Sequence, residues 1–165
     1  AVHQFVGDAE QSDDLTLMAI QYIKKQRDVK MRRSIVLPND VQEVPKLTAF
    51  VDAVCEAVGF NSTLTMKMNL AIEEAVVNVM NYAYPRGTKG DVTIEALSND
   101  VRLKFTIIDS GTPFDPTVHS DVDTTLSAQD RPIGGLGIHL VRNIMDSINY
   151  ERIDNLNVLT LRTQL

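Results

Sequence analysis

The feature that most constrains the fold is a change of apolar period at "PRGTKG", Pro85 to Gly90. Before it, Val44, Leu47, Val51, Val54 and Val58 recur every three or four residues, and Gly59 follows. After Asn61 or Ser62, both good N-caps, Met68, Ile72, Ala75, Val76, Val79 and Ala83 do the same up to Tyr84 and Pro85. These spacings predict two consecutive amphipathic helices. Past the glycines the period becomes two. "DVTIEALS" and "VRLKFTIID" flank Asn99-Asp100, and Val101, Leu103, Phe105 and Ile107 alternate with polar neighbours, which predicts a hairpin.

The remaining elements follow the same logic. "MRRSIVLP" reads as a strand stopped by Pro38, and Asn39 and Asp40, with Gln42 and Glu43 three residues on, offer a capping box for the first helix. "GGLGIHLVRNIMDSI" reads as a third helix with Ile138, Val141, Ile144, Met145 and Ile148 on its apolar face, and "NYERI" and "VLTLRT" as a hairpin around Asp154-Asn155. Leu15 to Ile23 has the length of a further strand, followed by the charged linker "KKQRDVK". Gly111 to Pro132 is a long polar loop, and loops of that length in compact domains are usually functional. Strand, two helices, two strands, loop, helix and two strands define an α+β class: a two-layer sandwich with a mostly antiparallel or mixed sheet and helices on one face.

Composition narrows the function. The 165 residues are 44% apolar, enough for a real core, and the net charge of -6 disfavours direct nucleic-acid binding, which needs clustered cations on phosphate. Cys55 is the only cysteine, so neither an intrachain disulfide nor a cysteine-built zinc site is available, and a reducing, cytoplasmic setting is expected. No apolar run has the length of a membrane span.

Three short segments carry chemistry. Glu74 and Asn78 lie at i and i+4 on the second helix, on a face with Ala71 and Asn81. An amide oxygen suits Mg²⁺, and a carboxylate beside it could take a proton from an attacking hydroxyl. On its own the pair reads more simply as an ordinary polar helix face. Asp109 ends an apolar strand before "SGTP"; it could accept from an exocyclic amine while Gly111 lets backbone approach a flat ring, or it could simply open a turn. The glycines before "IHLVRN" free backbone N–H groups at a helix start, where an anion is favoured. They match neither a Walker loop nor a Rossmann fingerprint.

Taken in order, "EEAVVN", "DSGTPFDP" and "GGLGIHLVRNIMD" resemble the N box and the two glycine boxes of the GHKL ATP-binding superfamily, and within it the serine kinases that act as anti-sigma factors. The resemblance covers about residues 31 to 165. It implies a Bergerat-type ATP site under a mobile lid at Asp115 to Ile133. Glu74 would be the general base, Asn78 the Mg²⁺ ligand, Asp109 the acceptor for the adenine amino group and Gly111 a neighbour of the ring. Gly135, Leu136 and Gly137 would offer backbone to the phosphates, and Thr160 on the last strand would contact the adenine side. Asn81 and Tyr82 stand where such proteins often carry a base, a charge that Arg131 could replace. His139 reads as a helix-surface residue, and His3 and His119 show no metal-ligand spacing.

"EQSDDLTLMAI" resembles the closing motif of PPM-type metal-dependent serine/threonine phosphatases, with Asp13 as a metal ligand in an intact parent only. The two resemblances imply residues 1–27 as the end of such a phosphatase plus a linker, and 28–165 as an ATP-binding kinase domain. The implied activity is ATP-dependent phosphorylation of an anti-anti-sigma (STAS) partner, compatible with sequestration of a sigma factor and with a homodimer. A non-catalytic, nucleotide-dependent binding module and a histidine-kinase-type ATPase domain are the alternatives.

Overall fold

The computed structural model describes residues 29–117 and 135–165. The expected strand at Leu15 to Ile23, Asp13, His3, His119, Arg131 and the lid beyond Thr117 lie outside the described residues.

The described elements run in the expected order: β1 (Met31–Pro38), α1 (Val44–Val58), α2 (Ser62–Tyr82), β2 (Asp91–Ser98), β3 (Arg102–Asp109), α3 (Gly135–Ile144), β4 (Ser147–Ile153) and β5 (Leu156–Gln164). The strands form one sheet in the order β1-β2-β3-β5-β4. Each neighbouring pair is antiparallel, so of the two expected arrangements, mostly antiparallel or mixed, the sheet takes the antiparallel one. Connectivity explains this: β2–β3 and β4–β5 are hairpins, the α1–α2 pair returns the chain antiparallel to β1, and α3 crosses over to the sheet edge so that β4 runs parallel to β3 with the antiparallel β5 between them.

Local chemistry sets the boundaries. Asp40 caps a 3-10 turn at Val41–Glu43, accepting from the Gln42 N–H at 2.9 Å, so the expected capping box does not start α1. Asn39 instead latches the turn at residues 85–90, accepting from the Gly90 N–H at 3.0 Å and donating to the Thr88 carbonyl at 2.8 Å. Gly59 closes α1 in the left-handed region (φ 79°), with the N–H of Gly59 on the Glu56 carbonyl and that of Phe60 on the Cys55 carbonyl. Asn61 caps α2 by accepting from the Leu64 N–H at 2.9 Å.

The core lies between helices and sheet. Val51, Val54, Ile72 and Val76 from the helices and Ile94, Phe105 and Leu161 from the strands are fully buried. Helix α2 sits between α1 and α3. That position explains why Ala71, expected on the polar face, is fully buried: α2 is covered along its flanks as well as below. Helix α3 stops at Ile144, and Ile148 belongs to β4, where it packs against the core from a strand. No helix among the described residues is long and apolar enough to cross a membrane.

Candidate functional site

Glu74 and Asn78 lie half-buried on α2, one turn apart, and the Asn78 Nδ2 donates to Glu74 Oε1 at 3.1 Å. That bond fixes the amide so that its oxygen accepts nothing from the described residues and remains available to a ligand. Gly137, in the first turn of α3, backs directly onto the Glu74 carboxylate; a Cβ there would fall on the carboxyl atoms. The glycine therefore brings the start of α3, where a helix presents backbone N–H groups and its positive dipole end, against the acidic residue.

The second cluster is built on the sheet. Asp109 ends β3 and is 4% exposed. Its Oδ1 accepts from the Gly111 N–H and from Asn157 Nδ2, both at 2.8 Å. Asn157 lies opposite Asp109 on β5, and Arg152 lies opposite Asn157 on β4. Asn157 Oδ1 accepts from Tyr150 Oη and Arg152 Nη1, both at 2.7 Å, and Arg152 Nη1 also reaches the Gly111 carbonyl at 3.0 Å. The exit turn is pinned to α2 as well: the Thr112 N–H donates to the Ala83 carbonyl at 2.7 Å, and a Cβ on Gly111 would strike Ala83. The glycine is thus required by helix α2, a reason distinct from approach to a ring.

The expected residues divide. Glu74, Asn78 and Gly137 come together across α2 and α3. Asp109 and Gly111 come together at the end of β3, beside the C-terminal end of α2. Gly135 and Leu136 fall in the first turn of α3. Thr160 does not join either group. Three residues beyond Asn157, it points to the opposite face of the sheet, across from Thr106 and Asn149. The β5 residue beside Asp109 is Asn157. Its signal was a polar residue at the only buried polar position in "LNVLTL" in phase with the core residues Leu159 and Leu161. Beyond the exit turn, Asp115 Oδ1 accepts from the N–H and Oγ1 of Thr117, and Arg142 of α3 donates to the Thr117 carbonyl at 2.7 Å.

Residues 37–163 match the family described as histidine kinase-like ATPase domain. The chain belongs to that family. Among its relatives, a serine-protein kinase RsbW of Listeria monocytogenes is 26% identical over 102 residues, covering 59% of this chain and 65% of the relative. The chain thus spans less than two thirds of that relative's length. A serine/threonine-protein kinase BtrW of Bordetella bronchiseptica is 28% identical over 102 residues (62% of this chain, 72% of the relative). An RsbW of Bacillus mycoides is 28% identical over 127 residues (74% and 79%). The crystal structure of the RsbU and RsbW domains of Rv1364c from Mycobacterium tuberculosis shares the fold, with a TM-score of 0.59 at 14% identity, over 82% of this chain and 33% of that one.

For this histidine kinase-like ATPase domain, the fit of a divalent cation can be tested on the donor set. The described residues hold no group of three or more His, Cys, Asp or Glu side chains that could cage a metal. The free amide oxygen of Asn78 beside the Glu74 carboxylate suits Mg²⁺, which keeps several waters and takes its other ligands from substrate phosphates.

Proposed function

We propose that the chain is the ATP-binding domain of an anti-sigma-type protein serine kinase, which transfers the γ-phosphoryl group of ATP to a serine of an anti-anti-sigma (STAS) partner and sequesters a sigma factor. The observation that carries this reading is the meeting of Glu74 and Gly137, which sets a carboxylate against a glycine-led helix start. The kinase names of the listerial, bordetellar and bacillar relatives support it.

In this reading Asp109 accepts from the adenine amino group through Oδ2, the oxygen with no described donor. The backbone N–H groups of Gly135, Leu136 and Gly137 face the phosphates. Mg²⁺ on Asn78 supplies charge neutralisation at the phosphates. Glu74 takes the proton of the incoming serine hydroxyl as the new O–P bond forms and the bond to the ADP oxygen breaks. Arg131 contributes a cation to the phosphates.

The same reading makes residues 1–27 the end of a PPM-type phosphatase domain with a linker, and Asp13 a metal ligand in the intact parent. The mycobacterial chain that joins an RsbU to an RsbW domain supports a two-domain parent. Such a kinase works in the cytoplasm, where its partners are.

Isothermal titration with Mg-ATP, comparing wild type with Asp109→Asn, tests the nucleotide site. We expect saturable binding by wild type and a loss of tenfold or more in the variant. No binding by wild type would overturn the reading. Transfer of labelled phosphate to a STAS partner then separates a kinase from a nucleotide-dependent binding module.

A further inference from the structure

We propose that Asn157 is the positioning residue that sets the base selectivity of the site, acting through Asp109. The inference rests on the nucleotide reading above and deepens it.

Asn157 is 5% exposed, and its side chain has no valence left for a ligand. Nδ2 donates to Asp109 Oδ1 at 2.8 Å and to the Thr112 carbonyl at 3.1 Å; Oδ1 accepts from Tyr150 and Arg152. An amide has two donor hydrogens and two acceptor lone pairs, and all four are engaged. Its orientation is dictated from β4: the Arg152 guanidinium can only donate, so the amide oxygen must face it, with Tyr150 donating to the same oxygen, and the nitrogen must face Asp109.

The consequence falls on Asp109. With Oδ1 held by Asn157 and by the Gly111 N–H, the carboxylate cannot rotate, and Oδ2 is left as a pure acceptor. A fixed acceptor favours a purine with an amino group at C6 and leaves a C6 carbonyl facing oxygen against oxygen. Sites built to hydrogen-bond one group reject the analogue lacking it, because buried polar atoms are then left unpaired. Arg152 holds both Asn157 and the Gly111 carbonyl, so the β4–β5 hairpin locks the exit turn and the selecting carboxylate together.

Asn157→Asp offers a sharp test. It keeps the shape and the partners Tyr150 and Arg152, which among the described residues are the only charged or titratable side chains bonded to this residue besides Asp109. It also replaces the donor toward Asp109 with an acceptor. Two carboxylates at that distance repel, which raises the pKa of the pair: a proton shared between them at low pH restores the donor toward Asp109, and its loss at high pH leaves two acceptors facing each other.

The experiment is titration of the full chain with ATP and with inosine triphosphate, which carries a carbonyl at C6, for wild type, Asn157→Ala and Asn157→Asp at pH 6 and pH 8. We expect wild type to prefer ATP, Asn157→Ala to contract the ATP-to-inosine-triphosphate ratio tenfold or more, and Asn157→Asp to bind ATP poorly at pH 8 and recover at pH 6. Equal losses for both nucleotides in Asn157→Ala, or an unchanged ratio, would overturn the proposal. If Asn157→Ala fails to fold, a flat pH profile in Asn157→Asp overturns it. Wild type binding neither nucleotide overturns the nucleotide reading itself, an outcome distinct from normal binding with unaltered selectivity in the variants.

Discussion

Glu74 and Gly137 meet across the α2–α3 interface with no room for a single methyl group between them. Gly137→Ala must therefore displace either the carboxylate or the start of α3. Overpacking of this kind costs about 1–3 kcal/mol, so thermal denaturation should show a lowered midpoint. Adding Glu74→Ala should restore the stability without restoring phosphate transfer. Additive losses in the double variant would show that the two residues do not compete for the same space.

Glu74→Gln keeps the shape and the hydrogen bond from Asn78 but removes the proton acceptor. Phosphate transfer to a STAS partner should fall by about 10²–10⁴, while calorimetric affinity for Mg-ATP stays within a few-fold of wild type. Asn78→Ala should weaken both. Transfer at an undiminished rate in Glu74→Gln would remove the general-base assignment.

Asp154 and Asn155 turn the last hairpin with positive φ at both positions (48° and 65°). Left-handed backbone costs a residue with a Cβ roughly 1–2 kcal/mol, and a β-branched one more. Asn155→Gly should leave stability equal or higher, and Asn155→Ile should lower it by about 2 kcal/mol, read by urea unfolding. Because this hairpin carries Arg152 and Asn157, the isoleucine variant should also bind ATP less tightly.

Cys55 is fully buried between α1 and its neighbours, and burial pushes its thiol from the ordinary 9.0 up to about 11, partly opposed by a hydrogen bond with Thr65 and reinforced by the nearby Asp52 charge. The folded chain keeps this proton where the unfolded chain has lost it. Its contribution to stability is complete below about pH 9 and is lost as pH rises through about 11. Urea unfolding under reducing conditions should show wild type losing stability between pH 8.5 and 10.5 by about the amount set by one ionising thiol, and Cys55→Ala should lack that component.

Several elements were legible because a residue of fixed chemistry marks them. Pro38 ends β1, Gly59 ends α1, Asn61 opens α2, and Asn99-Asp100 and Asp154-Asn155 turn the hairpins. The end of α3 was not, because Ile148 falls in helical phase with Ile144 and Val141 although it enters the core from a strand. Ala71 was misplaced because a helix flanked by two others has no purely polar side, and an alanine declares no preference. On the last strand Asn157 shares a phase with Leu159 and Leu161 and Thr160 with Val158, but the sequence does not say which phase faces Asp109; the register decides it. The meeting of Glu74 and Gly137 joins residues 63 positions apart in the chain, a distance no spacing rule reaches.

The turn at Asp154-Asn155 has a meaning beyond its own stability. Side chains alternate along β5, so one inserted or deleted residue in that turn would carry Val158 or Leu156 to the place of Asn157 and turn the partner of Asp109 greasy. Point substitutions in the turn are graded insults, whereas a single-codon length change there would erase nucleotide recognition outright. This domain should therefore tolerate drift in the letters of its last loop far more readily than drift in its length.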